Sequence, residues 1–267
     1  MFPRRWVWMS ENVGWLSGEN EAAHAAGMAP RQGPHPQLVP GSRAHRLFLA
    51  LGLLGSLLFN ATFLLDGALR PGYDPLSQPM SALSLGTGGW VQVANFIVFG
   101  ALTCSSAAGW RATLAPGAGS GWYPGLKVFA GVMLITAGVF TQDPGAGFPP
   151  GVPVPVTATV HAQIHTGAAV LSLLATIASL LVLAYRLRRE PRWRGWALFA
   201  VLTAMAMMGF LSAFGSTLGH AEFAGMFEKL ASITPLIFSV IVICRLLLHH
   251  GRLAPIPACP QEQERRS

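Results

Sequence analysis

Residues 47–65 read LFLALGLLGSLLFNATFLL and end at Asp66. That run contains no charge. At 1.5 Å rise per residue it makes a helix of about 28 Å, close to the thickness of a bilayer's hydrocarbon core. Asn60 is its strongest lone polar group and is expected to hydrogen-bond a neighbouring helix.

Five more runs of this kind follow. The second extends from about Gly89 to Gly109 and the third from about Gly125 to Thr141. The third has a short strictly apolar core, so Lys127 is expected to snorkel to the membrane boundary. The fourth covers His161 to Tyr185, the fifth Gly195 to about Leu218, and the sixth Leu230 to Leu248. Pro235 predicts a kink in the sixth, and Arg245 snorkels at its end. The composition agrees: 52% of the 267 residues are hydrophobic and 11% charged, against about a quarter charged in a soluble domain. Lipid-facing positions must be apolar, so the excess reads as one integral membrane domain. The fold class is therefore all-α: a polytopic membrane protein with a bundle of six transmembrane helices.

The flanks differ. Residues 1–42 carry three tryptophans, three glutamates and four prolines between Trp6 and Pro40, with no apolar stretch of signal-peptide type. They predict a poorly ordered cytoplasmic tail, and Met28 offers an alternative start. Residues 43–250 form the six-span domain. Residues 251–267 predict a flexible cytoplasmic C-terminal tail.

Net charge is +7, and its distribution orients the chain. Arg43, Arg46, Arg111, Lys127, Arg186, Arg188, Arg189, Arg192, Arg194 and Arg252 fall on one set of loops and ends, while the alternate loops carry only Arg70 and Lys229. The excess of Lys and Arg on cytoplasmic loops then places both termini in the cytoplasm of a cell membrane. No basic run interleaves with aromatics, which excludes a nucleic-acid partner. Cys104 and Cys244 lie in apolar segments and Cys259 in the tail, with no CxxC spacing, so they read as small buried hydrophobes rather than ligands.

The outward loops collect the acids. Five of the six acidic residues between positions 44 and 250 are there: Asp66, Asp74, Asp143, Glu222 and Glu228. In the first of these loops Tyr73-Asp74-Pro75 signals a turn. Ser77, Ser81 and Ser84 follow at helical spacing, predicting a short outer amphipathic helix before the second span. No GxSxG or SxxK motif supports a serine nucleophile. His161 and His165 stand four apart at the start of the fourth span, on one helical face, as two ligands of one metal would. Asp143 ends the third span and supplies a carboxylate within reach of a folded-back loop. The three would form a two-His, one-carboxylate site for a divalent metal, with chemistry of metal-activated hydrolysis. No glutamate lies between the histidines, so the same residues also fit hydrogen bonds to loop carbonyls or lipid phosphate.

The stretch Gly72-Tyr73-Asp74-Pro75-Leu76-Ser77-Gln78-Pro79-Met80-Ser81-Ala82-Leu83 resembles the first outer loop of a prokaryotic multi-pass membrane family, domain-of-unknown-function family 998. The Phe140-Thr141-Gln142-Asp143-Pro144 end of the third span and the pair His161/His165 are also similar. The resemblance covers about residues 44–250. It implies a six-span architecture and carries no assigned activity. Ala82 departs from it, standing where an acidic residue is expected.

Three functional readings stay open on these residues. The first is a membrane protein that binds or moves a lipid headgroup or small solute through an outer polar layer of Asp66, Tyr73, Asp74, Ser77, Ser81, Asp143 and Glu222. The second is a metal-dependent membrane hydrolase built on Asp143, His161 and His165, acting on a lipid or envelope substrate. The third is a structural or assembly subunit with no small-molecule site; under all three the chain's partner is the lipid bilayer.

Overall fold

A computed structural model describes residues 38–117, 119–189, 191–217 and 221–248. The expected C-terminal tail lies outside the described residues, as does the N-terminal tail up to residue 37.

All six expected spans are helices long and apolar enough to cross a membrane. They are α1 (Arg43–Leu69), α2 (Trp90–Leu114), α3 (Trp122–Val139), α4 (Val160–Leu187), α5 (Arg194–Thr217) and α6 (Ala224–Leu248). Their outward positions are apolar side chains such as Leu57, Leu58, Val132, Leu174, Leu202 and Ile241, all exposed. That is the pattern of a lipid-facing belt. The polar positions of the same helices turn inward: Asn60, Gln92, Asn95, Ser106, His165, Ser172 and Ser179 are buried.

Each helix packs against its neighbours in sequence, and α6 packs against α1, which closes a ring. Between helices in lipid there is little hydrophobic drive, so close packing and hydrogen bonds hold them. Small residues provide the first. A Cβ at Gly100 would lie 2.5 Å from the carbonyl oxygen of Gly131, and one at Gly131 would lie 2.5 Å from Cys104 Sγ. The α2 and α3 backbones therefore touch directly. Polar side chains provide the second. Asn95 donates to the Phe59 carbonyl (3.0 Å) between α2 and α1, and Ser172 to the Ala130 carbonyl (3.1 Å) between α4 and α3. Asn60 meets the expectation set for it: its Oδ1 accepts from Ser232 of α6 at 3.4 Å.

His45 pins the start of α1 to the end of α2. Its Nδ1 accepts from the Gly41 backbone N–H (2.9 Å), so Nε2 carries the proton and points at the Gly109 carbonyl (3.1 Å) and Thr113 Oγ1 (2.8 Å). The assignment of the proton follows from this network.

The first long loop departs from expectation. In place of a surface amphipathic helix after Pro75, the chain makes a turn and then a short 3₁₀ helix, Met80–Ser84, with Met80, Ser81, Ala82 and Leu83 buried. Two causes are visible. Pro79 disfavours helical geometry at Gln78. The carbonyls of Pro75 and Gln78, which a helix would use internally, are instead taken by Lys229 (2.9 Å each).

Packing at the α2–α3 contact gives a direct test. Gly131→Ala forces the two backbones apart and is expected to cost about 1–3 kcal/mol. Gly125→Ala on the same helix meets open space and is expected to be neutral or slightly stabilising. Thermal unfolding of the purified protein in one detergent separates the two.

Candidate functional site

Residues 70–88 form a lid over one end of the ring. Arg70 organises its far half. The guanidinium pairs with Asp66 one turn back (Nη2–Oδ2 2.7 Å) and also donates to the carbonyls of Thr87 (2.7 Å), Gly88 (3.0 Å), Leu83 (3.3 Å) and Leu85 (3.4 Å). Only a planar fork with five donors reaches so many acceptors at once.

The near half is tied to α6 by adjacent buried charges. Lys229 Nζ donates to the carbonyls of Pro75, Gln78 and Gly225 (2.9, 2.9 and 3.2 Å). It also lies 5.2 Å from the centre of the Tyr73 ring. Glu228 accepts from the Met80 backbone N–H and from Ser81 Oγ (3.3 Å). The start of α6 adds two backbone bonds, Gly225 N–H to Ser77 (3.2 Å) and Met226 N–H to Leu76 (2.9 Å). A Cβ at Gly225 would stand 2.1 Å from the Gln78 carbonyl oxygen, so only glycine admits the lid this closely. Under the lid, Phe59, Phe63, Tyr73, Met80, Leu83, Phe96 and Phe148 form one apolar cluster.

Tyr73 donates its hydroxyl to the Gln78 and Pro79 carbonyls (3.0 and 3.1 Å). Burial pushes its phenol well above the usual range, and the nearby carboxylates of Glu228, Asp74 and Asp66 add to the shift. Asp74 caps the turn that follows, accepting from Ser77 Oγ and from the Leu76 N–H (3.0 Å). The hydrogen bond from Ser77, helped by that from Leu76, holds its carboxyl below the usual carboxylate range.

Inside the ring lies a cavity lined by residues of all six helices and by Met80 and Ser81 of the lid. The centre of a water-sized sphere can occupy about 100 Å³ of it, several times what one water needs. Along α4 its wall runs from His165 to Leu180, about 22 Å at helical rise. Phe59, Phe96, Phe99, Leu134, Leu173, Leu236 and Phe238 make much of the wall. Glu228 and Ser81 stand at the lid end. Tyr123, Lys127, Thr176 and Ser179 stand toward the other.

Of the expected outer-layer residues, Ser81 alone lines this cavity. Asp66 is occupied by Arg70. Asp74 and Ser77 bond each other, and Glu222 is exposed. Asp143 accepts from the Thr159 N–H (2.8 Å) and Oγ1 (2.7 Å), closing the base of the α3–α4 loop. Thr159 in turn caps α4. His161 is exposed with its ring against Phe140 at 5.2 Å. His165 is buried and lines the cavity. Both carbonyls near its Nδ1, Ala137 (2.7 Å) and Phe140 (2.8 Å), are acceptors. Nδ1 therefore carries a proton and donates it to these carbonyls. Among the described residues, no group of three His, Cys, Asp or Glu side chains gathers as a metal site.

Three cavity or lid groups were placed elsewhere by sequence. Glu228 and Lys229 read as loop residues, because α6 starts six residues earlier than its apolar run. Lys127 read as snorkelling outward, yet it lines the interior. The brevity of the third span's apolar core was the available signal.

Two tests follow from the lid. Lys229→Met leaves three carbonyls without their donor and is expected to cost roughly 2–4 kcal/mol. Gly225→Ala is expected to displace the same segment. Both should raise amide hydrogen exchange at residues 75–80 while sparing the middle of α4. The Asp74 carboxyl is depressed in the folded state, so its turn is supported above the ordinary carboxylate pKa and loosens as pH falls through the depressed value. Ser77→Ala should move that loosening to higher pH, read by NMR of the Asp74 side chain.

A family model described as "Protein of unknown function (DUF998)" matches residues 53–245, well over half of the chain. No curated protein and no solved structure matches it.

Proposed function

The chain belongs to the DUF998 family of proteins of unknown function, and from the geometry of its own interior we propose that it binds, and in binding holds or moves, a lipid or small solute inside the helix ring. One observation carries this reading: the lidded, largely apolar cavity to which all six helices contribute. Ligand sites are concave, mostly apolar and supplied with a few placed polar groups. Here those groups are Ser81, His165 and Glu228 at one end and Tyr123 and Lys127 at the other. Asp66, Tyr73, Asp74, Ser77 and Ser81 of the polar layer expected from the sequence serve as the lid's own scaffolding, and we read the space beneath it as the binding volume.

We place the lid on the outer side of the cell membrane, with both termini in the cytoplasm. The arginines of the opposite end support this, among them Arg43, Arg46, Arg111, Arg188 and Arg189. At the lid end Arg70 and Lys229 spend their charges on Asp66 and on backbone carbonyls.

A metal-dependent hydrolase is the second reading, and the His165 ring favours it. Metal-bound histidines commonly donate their other ring N–H to a carbonyl, as His165 does. Asp143 is engaged with Thr159 and His161 is exposed, so this reading needs ligands from other positions.

Ala169 lines the cavity, and Ala169→Phe would fill it. Native mass spectrometry of the protein released from membranes is expected to show a bound small molecule that the Ala169→Phe protein lacks, with the same helical circular dichroism for both. Equal spectra would remove the basis of the binding reading and leave a structural subunit. Elemental analysis showing one divalent metal per chain, lost in His165→Ala, would favour the hydrolase.

A further inference from the structure

We propose that the cavity recognises an anionic amphiphile, a molecule with a carboxylate or phosphate monoester head on an alkyl tail, through Tyr123 and Lys127 of α3. The inference rests on the cavity being a binding site and adds the chemical class of its ligand.

Tyr123 and Lys127 are four residues apart on one helix, so their side chains share a face about 6 Å apart at Cβ. Both line the cavity. Tyr123 is 4% exposed, its ring packed on Trp110 at 4.8 Å. Among the described residues its hydroxyl has no hydrogen-bond partner, and the Lys127 ammonium has neither hydrogen bond nor ion pair. At the same end of the cavity two hydroxyls are engaged. Thr176 and Ser179 donate to carbonyls of their own helix (2.9 and 2.7 Å). Among the described residues Glu228 is the one carboxylate lining the cavity; it belongs to the lid end and is bonded there by Met80 and Ser81.

The two free groups have one chemistry in common. An ammonium only donates, and a phenol can donate. Two donors on one helical face of the cavity wall fit an acceptor that lacks protons of its own. An unpaired ammonium against apolar walls is costly, and a bound anion offsets that cost. Between this spot and the lid the walls are Phe59, Phe96, Phe99, Leu134 and Leu173, with Phe59 and Phe99 stacked at 4.6 Å. That is a sleeve for an alkyl chain and a poor surface for a second charge. Head at Lys127 and tail toward the lid is the orientation these residues select.

The test uses the full chain in phosphatidylcholine nanodiscs, with dodecyl phosphate, dodecanoate, dodecanol and inorganic phosphate as probes and affinity read from the shift in unfolding temperature. The expected result is binding of dodecyl phosphate, dodecanoate or both, with inorganic phosphate and dodecanol at least tenfold weaker. Preference between the first two tells a phosphate head from a carboxylate head. Lys127→Met should weaken binding at least tenfold and Tyr123→Phe several-fold, while Lys127→Arg retains it. If dodecanol binds as well as the anions and Lys127→Met changes nothing, the anion assignment is wrong and the binding cavity stands. If inorganic phosphate competes as well as dodecyl phosphate, the tail assignment is wrong. If no probe shifts the wild-type protein, the cavity reading itself fails. Tyr123→Phe removes one oxygen from a packed ring and keeps the assignment testable should Lys127→Met not fold.

Discussion

Non-helical backbone buried against a helix bundle, away from water, must have its polar groups satisfied by protein. Two adjacent residues of α6, Glu228 and Lys229, do this for the lid. The ammonium collects the carbonyls of Pro75, Gln78 and Gly225, and the carboxylate takes the Met80 N–H and the Ser81 hydroxyl. Neither charge is an ion pair in the ordinary sense, since each is engaged mainly with groups of the lid. The arrangement lets a proline-containing loop lie over the ring as a fixed cover. Arg70 repeats the device at the loop's other end, with Asp66 neutralising it.

The ring beneath follows from a division of labour among helix faces. Many leucines, valines and isoleucines face outward, and most of the buried polar side chains are small or hydroxyl-bearing ones that face inward. Glycines let α2 and α3 approach to backbone contact, whereas the larger aromatic side chains Phe59, Phe96 and Phe99 stand toward the middle and keep it from collapsing. Closure as a ring, with contacts mainly between neighbours, is what leaves a shared interior for six helices to line.

The six spans were legible because apolar length is a property of each segment alone. Asn60 was legible for a similar reason: a lone amide in a span has few options beyond a neighbouring helix. The lid was not, because its conformation depends on residues about 150 positions away. Pro75 and Ser77 suggest a surface helix only until Lys229 is known to claim the carbonyls. The His161/His165 spacing suggests a shared helix face, yet one ring ends exposed and the other buried. Asp143 was expected to end the third span; α3 stops at Val139, and Asp143 lies in the loop beyond it. Its partner is Thr159, whose role as the cap of α4 gives a carboxylate two donors at once. Lys127 was judged by its distance from the span's end, and the direction of its side chain is set by the ring.

Closure of the ring by α6 on α1 also bears on the order of assembly. The other extensive helix contacts join segments linked by one connection and are available as soon as the second segment emerges. The α1–α6 seam joins segments separated by most of the chain, and such non-local contacts form late. Until α6 arrives, the nascent bundle is an open crescent whose serines, threonines and Asn60 lack part of their enclosure, and the lid has nothing to dock on. One final helix then completes the wall, supplies the partner of Asn60 and seizes the lid. A chain halted before α6 would lack three features together, and membrane quality control would meet an exposed polar groove rather than a slightly shortened protein.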